Sequence, residues 1–261
     1  MLVFVCFRWG TPSEGAPYSS AHVNALHEML SIHHTQPFRM ICVTDDPSGL
    51  DAQIEPIELP NKCRYLIDKT KGNYAKLWIF SSEHEKLINE DKFMYLDLDV
   101  VVTGDLSNLF ELNQPLAIGD GMKVRRGFSA IKHRLRRGYW PYRCPVNSSI
   151  LVVQCGYAND LWYDFDPTKS PNETVDAKIR GTDQAWIYIR ARDRLSILTR
   201  NEGIYRAAWL PKHQGNLPNN CRLVAFPGEN DKKPWSMSML KRHPWISRYY
   251  PLRLLQKKND C

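Results

Sequence analysis

The chain has 261 residues, 43% of them apolar and 24% charged. That composition excludes a globally disordered protein and suffices for one large core, or for a core domain with a small extension. The net charge of +7 points to anionic partners such as phosphates, nucleotides or an acidic membrane surface, without choosing among them.

LVFVCF (2–7) reads as a buried first strand that closes in the Gly/Pro loop RWGTP. SSAHVNALHEMLSIHH (19–34) carries Val23, Leu26, Leu30 and His33 at helical spacing, behind Ser19 or Ser20 as N-cap. FRMICV (38–43) predicts a second strand ending in the turn sequence TDDPSG, and IEPIEL (54–59) an edge strand because of Pro56. NYAKLWIFSS (73–82) has helical character, KFMYLDLDVVV (92–102) reads as one buried strand, DLSNLFEL (105–112) as a short helix, and PLAIGDG (115–121) as strand and turn. The order β-α-β-β-α-β-α-β predicts an α/β fold whose sheet is mostly parallel and covered by helices on both faces.

The stretch 123–143 then carries eight Lys/Arg and no acid. It reads either as a loop contacting an anionic acceptor or as a solvated face. VNSSILVVQC (146–155) returns to strand composition, GTDQAWIYIRARD (181–193) to a helix, and CRLVAF (221–226) to a late strand. The C-terminal HPWISRYYPLRLLQKK is basic and aromatic. It suits either an anionic membrane surface or a packed terminal helix.

The seven cysteines are odd in number and lack a CxxC pair, and Cys6 and Cys42 sit in strand-like runs, so they read as reduced thiols of a cytosolic protein. LVFVCF is only six residues long before Arg8, too short for a signal peptide, and no stretch approaches the roughly 20 apolar residues of a spanning helix. The expected location is cytoplasmic, with a peripheral place at the inner face of the membrane as the alternative that the C-terminus allows.

Asp97 and Asp99 interrupt the apolar run. On a continuous strand, period two places Phe93, Tyr95, Asp97, Asp99 and Val101 on one face, with the carboxylates about 7 Å apart. Two uncompensated carboxylates in a core are costly, so a divalent cation or strong hydrogen-bond donors must offset them. Hard oxygen ligands suit Mg²⁺ or Mn²⁺, which complete their coordination with water and phosphate oxygens. The pair therefore predicts a diphosphate site at the C-terminal edge of the sheet. The alternative ends the strand at Leu96 and makes both acids solvated turn residues.

Five stretches in order, NYAKLWIF, LDLDVVVTGDLSNLF, VNSSILVV, GTDQAWI and FPGENDKKPW, resemble the GT-A glycosyltransferases of the family 8 type, the glycogenin and lipopolysaccharide galactosyltransferase group. The resemblance spans residues 1–236, which implies a nucleotide-sugar transferase domain there and a basic aromatic extension over 237–261. It implies a Rossmann-like GT-A sheet and a nucleotide-diphosphate donor, UDP-linked in that family. The sugar would pass to a glycan, lipid-linked or protein acceptor with retained configuration. Mn²⁺ or Mg²⁺ would be held by Asp97 and Asp99, with Asp99 the firmer ligand and Asp97 either bridging to the metal or contacting the ribose. Lys76 would face the nucleotide-sugar, Asn147 and Ser148 would lie beside the sugar pocket, and Asp183 and Gln184 near the anomeric carbon. Gly228 and Lys233 belong to a closing loop whose lysine reaches the diphosphate. Phe7, Arg8 and Trp9 end the first strand, where their backbone would meet the base. For Trp9 plain packing is the competing reading. Asp45, at the end of the second strand, would meet base or ribose, with a simple turn as the alternative. Asp183 has a bland alternative as the first acid of a helix.

One feature departs from the family. Its closing loop usually carries a His as third metal ligand, whereas this chain reads Ala225-Phe226-Pro227-Gly228. Water or another residue such as His213 or His243 would take that place, or the metal site would be weaker. The departure motivates one alternative, a catalytically inactive nucleotide-sugar-binding protein. A second alternative is a haloacid-dehalogenase-type phosphatase, which also uses a strand-end Asp-x-Asp. No nucleic-acid motif accompanies the basic stretch, so nucleic acid is not an expected partner.

Overall fold

The first strand sets the plan. In β1 (Leu2–Arg8), Phe4 and Cys6 enter one core while Val3, Val5 and Phe7 enter another, and all five are buried. A strand apolar on both sides must lie mid-sheet with material on each face. The computed structural model, which describes residues 1–10, 18–70, 73–122, 128–137, 143–179 and 181–256, places it so. It lies between β2 (Phe38–Thr44) and β4 (Lys92–Leu96), parallel to both. Beyond β2 comes β3 (Ile54–Glu58), at the edge that Pro56 predicted. On the other side follow β7 (Val146–Gln154), β6 (Leu116–Asp120) and β8 (Ser196–Leu198). Of these seven strands only β7 runs against the rest, pairing antiparallel with both β4 and β6. The expected mostly parallel α/β sheet flanked by helices is the fold observed.

The reversed strand brings polar side chains to one end of the sheet. Because β7 is antiparallel, its N-terminal end, Asn147 to Ser149, meets the C-terminal ends of β1 and β4, where open α/β sheets bind ligands.

The single strand expected over 92–102 is corrected. β4 stops at Leu96, and β5 (Val100–Val102) belongs to a second, three-stranded sheet. There β5 pairs antiparallel with β10 (Leu223–Ala225), which pairs parallel with β9 (Ile204–Arg206). Asp97, Leu98 and Asp99 form the step between the sheets. The Asp97 N–H donates to the Ser149 carbonyl at 3.0 Å on the first sheet, and the Phe226 N–H donates to the Asp99 carbonyl at 3.0 Å on the second. The solvated-turn alternative located the strand end correctly but not the environment, since Asp99 is 4% exposed.

The long helix α1 (Ser20–His33) starts after Ser19, whose backbone N–H donates to His22 Nδ1 at 2.9 Å, and buries Val23, Leu26 and Leu30. The helices α2 (Asn61–Lys69) and α3 (Ser82–Ile88) flank a 3₁₀ segment over Tyr74–Phe80, all seven of whose residues are buried. Ser107–Leu109 is one 3₁₀ turn where a short helix was expected. α4 (Phe128–Arg137) lies in the basic stretch, and residues 123–127 and 138–142 on either side of it lie outside the described residues. α5 (Asp160–Tyr163), α6 (Ser170–Asp176) and α7 (Asp183–Ala191) follow β7. α8 (Met237–Arg242), α9 (Ile246–Tyr249) and α10 (Arg253–Gln256) close the described chain.

The C-terminal stretch packs inward. Trp245, Ile246 and Tyr250 are buried in the same core as α1 and the small sheet, and Arg253 Nη2 pairs with Glu28 at 2.6 Å on α1. Trp245 and Tyr250 are therefore not free to sit in a membrane interface, which corrects the membrane reading for them. Among the described residues no helix is long and apolar enough to cross a membrane. The six described cysteines are free; Cys261 lies outside the described residues.

Candidate functional site

The step between the two sheets opens a cavity of about 590 Å³, in the usual range for small-molecule sites. Its walls come from the end of β1 (Phe7, Arg8, Trp9), the step itself (Asp97, Asp99), the start of β7 (Asn147, Ser148), the start of α7 (Asp183, Gln184), the loop after β10 (Gly228, Lys233) and Lys76. Every predicted position but one thus converges here, from stretches scattered along nearly the whole chain. Asp45 is the exception. It stands behind the wall, its Oδ2 accepting from the Gly10 backbone N–H at 2.8 Å, and so supports the loop after β1.

Three carboxylates and two ammonium groups form the polar floor. Lys76 Nζ donates to Asp97 Oδ1 at 2.8 Å and lies 3.4 Å from Asp183 Oδ2. Asp97 Oδ1 also accepts from the Tyr95 hydroxyl at 2.6 Å. Lys233 Nζ donates to Asp99 Oδ2 at 2.5 Å. Asp183 is fixed by Ser148 Oγ on Oδ2 at 2.5 Å and by Thr182 Oγ1 on Oδ1 at 2.8 Å. Gln184 Oε1 accepts from Asn147 Nδ2 at 3.3 Å.

The protonation tendencies follow from burial and from these neighbours. Lys76 is 5% exposed, and burial alone would lower its ammonium. The carboxylates of Asp183 and Asp97 overcome that and hold it above its ordinary value. Burial, followed by the charge of Asp97, raises Asp99, with Lys233 opposing. Burial and then Asp97 push the Tyr95 phenol well up, so it stays a hydrogen-bond donor. Asp99 Oδ1 is buried with no hydrogen-bond partner.

Arg8 reaches away from the cavity centre, with Nη2 at 3.4 Å from Asp46 Oδ2 and Nη1 donating to the Asp46 carbonyl. Trp9 meets Phe7 edge-on at 6.2 Å between centroids. Neither His213 nor His243 lines the cavity, so neither replaces the missing loop histidine. Among the described residues no group of three or more His, Cys, Asp or Glu could hold a metal.

Sequence reading missed Tyr18, Tyr95 and Thr182. Tyr95 carries the one available signal, since it shares a strand face with Asp97. Tyr18, whose ring lies 5.6 Å from Lys233 Nζ, comes from beyond a loop and leaves no local trace. Gly181 has φ +149°, and a Cβ there would stand 2.9 Å from Gln184 Cγ, so this glycine gives Gln184 its space.

No family model and no curated protein matches the chain. Among solved structures it is similar to the galactosyltransferase LgtC in complex with donor and acceptor sugar analogues, at 15% identity over 95% of this chain and 93% of that one, with TM-score 0.61. It is also similar to the apo form of mouse xyloside xylosyltransferase 1, at 13% identity over 88% and 98% of the two chains, with TM-score 0.54. A third likeness is to the glycosyltransferase GlyE of Streptococcus pneumoniae, at 16% identity over 91% of this chain and 57% of that one, with TM-score 0.52. The fold is the GT-A fold. At these identities the likeness fixes architecture, and the chemistry has to be argued from the cavity.

Proposed function

We propose that this protein is a glycosyltransferase that moves a sugar from a nucleoside-diphosphate donor, a UDP-sugar by the family resemblance, to a hydroxyl of a glycan, lipid-linked or protein acceptor, with retention. The observation that carries the reading is the cavity at the C-terminal edge of a GT-A sheet in which Asp97, Asp99 and Asp183 stand against Lys76 and Lys233.

The donor set suits a divalent cation. Asp99 Oδ1 is a buried carboxylate oxygen without a partner, and Asp97 is only half-buried beside it. Asp97 and Asp99 would hold Mn²⁺ or Mg²⁺, leaving the remaining positions to water and diphosphate oxygens. When bound, such an ion supplies Lewis-acid neutralisation of a leaving diphosphate. The chain's own residues do the rest. Lys76 and Lys233 present positive charge where the diphosphate would lie, and would exchange carboxylate for diphosphate oxygens to stabilise the leaving group. Asn147 holds the Gln184 amide, and Ser148 and Thr182 hold the Asp183 carboxylate, so both stay oriented toward the sugar side. Asp183 carries two hydroxyl donors and a nearby ammonium, which suits it to orienting Lys76 and the sugar rather than to attacking.

The phosphatase alternative gains nothing from the cavity. A phosphatase would use its first acid as nucleophile, whereas Asp97 Oδ1 accepts from both Tyr95 and Lys76, which leaves only Oδ2 for attack. The test is a panel of nucleotide-sugars with Mn²⁺ and simple sugar acceptors. Cation-dependent release of nucleoside diphosphate is expected. Tight UDP binding without sugar release would favour the inactive binder. Hydrolysis of a phosphomonoester with no nucleotide-sugar binding would favour the phosphatase.

A further inference from the structure

Behind the loop that carries Lys233 lies a second, smaller cavity of about 110 Å³. Pro227 lines both cavities, so the two are neighbours across that residue. The small cavity is bordered by Arg206, Lys212, Lys232, Arg242 and His243, and no carboxylate lines it. Arg206 ends β9, in register with Ala225 two residues before Pro227. Lys212 is brought in by a loop pinned to α8, where the His213 N–H donates to the Arg242 carbonyl at 2.7 Å.

Basic side chains outnumber the acids near them here. Among the described residues Arg206, Lys212 and Arg242 have no ion-pair partner, and Lys232 has only the exposed Glu229 at 3.4 Å. Arg206 is half-buried, its Nε is buried without a hydrogen-bond partner, and its guanidinium lies 5.7 Å from the Trp209 ring centre, which orients it. His243 is 1% exposed and its Nδ1 is likewise unpartnered. Asp120 attracts the Arg206 charge and Arg143 opposes it, yet burial dominates and lowers the guanidinium. Burial and then the positive charge of Arg242, His213 and Lys212 lower His243. Buried polar groups are ordinarily paired, and a cavity bordered by five basic side chains, two of which carry an unpartnered buried nitrogen, suits an anionic acceptor.

The size and charge of the cavity narrow the class of ligand. It is well below the ~300–1,000 Å³ of ordinary small-molecule sites. Three or four cations exceed what one carboxylate needs and match a phosphate monoester, which carries a charge of about −1.5 to −2 and three acceptor oxygens. We infer that this cavity is an anion subsite on the acceptor side, which takes the phosphoryl group of a phosphate-bearing sugar and directs a hydroxyl of that sugar past Pro227 toward the donor cavity. Its service to an acceptor rests on the transferase reading; the anion site does not.

The test titrates a hexose 6-phosphate, the unphosphorylated hexose and inorganic phosphate into the full chain, with and without saturating UDP, by calorimetry. The hexose phosphate is expected to bind in both conditions, the plain hexose not to bind, and inorganic phosphate to bind more weakly than the hexose phosphate. Arg206→Met and Arg242→Gln should each weaken the hexose phosphate by about tenfold or more while leaving UDP affinity unchanged. Arg242 is exposed, so its variant keeps the test open if the Arg206 variant misfolds. No hexose phosphate binding, or binding that survives both substitutions or vanishes under UDP, overturns the subsite. Inorganic phosphate binding as tightly as the hexose phosphate overturns the acceptor assignment. Failure of UDP to bind the unmodified chain would strike the donor reading alone.

Discussion

On one side of Pro227, each lysine of the larger cavity stands against a carboxylate: Lys76 against Asp97 and Asp183, Lys233 against Asp99. On the other side, Arg206, Lys212 and Arg242 converge with no ion-pair partner among the described residues. The same loop builds both walls, so the difference lies in what each cavity is made to receive. A paired site is stable while empty and must exchange partners when a ligand enters. An unpaired cluster stays near the surface, because burying it fully would cost too much, and waits for an anion.

Removing one member of a buried pair tests that contrast most severely. Lys76→Met leaves Asp97 and Asp183 facing each other with little solvent and should lower stability by about 3–5 kcal/mol, read as a lower urea midpoint. Adding Asp183→Asn to that variant should recover part of the loss. Asp99→Asn comes next. It keeps the shape of the step between the sheets but removes a charge that anchors Lys233, and transfer should fall by about a hundred- to a thousandfold with the fold intact. Undiminished turnover in that variant would remove the role assigned to Asp99.

A smaller effect comes from His84, a polar side chain with no charge beside it. It lies between Trp78 and Phe93 at 5.0 and 4.9 Å, and neither ring nitrogen has a partner of ordinary geometry. Burial, only partly offset by the Ile79 backbone, lowers it to about 3. The unfolded imidazole protonates near 6.5 while the folded one stays neutral, so the unfolded chain binds more protons in that window. Stability is therefore full above pH 6.5 and falls as the pH drops toward 3, by at most about 1.4 kcal/mol per unit from this group. In His84→Leu a series of urea titrations between pH 7.5 and 5 should show a shallower slope, the remainder coming from His27, His33, His34 and His243, which burial also lowers. The smallest effect belongs to the unpaired cluster itself: Arg242→Gln, breaking no pair, should shift stability by less than about 0.5 kcal/mol.

Much of the fold was legible because its strands are apolar on both faces and its turns carry Gly, Pro and Asp. β1, β2, β6 and β7 appear within a residue or two of where LVFVCF, FRMICV, PLAIGDG and VNSSILVVQC placed them. The break at Asp97 was not legible. VVV is as apolar as the strand before it, and only its long-range pairing with Leu223–Ala225 shows that it has changed sheets. α2 escaped notice because NKCRYLIDK buries only Cys63 and Leu66, too little for a clear stripe. In the donor cavity the acids and lysines could be read from local motifs, whereas Tyr18 could not. The basic cavity left no sequence signal at all: Arg206, Lys212 and Arg242 are ordinary scattered cations until β9, the loop after it and α8 bring them to one place.

The central claim is that Asp97 and Asp99 bind a nucleoside diphosphate through a divalent cation. Calorimetric titration of UDP into the protein, once with Mn²⁺ and once with EDTA, tests it directly. Binding with the cation and a loss of at least tenfold in its absence are expected; equal affinity under both conditions would rule out a metal-bridged diphosphate.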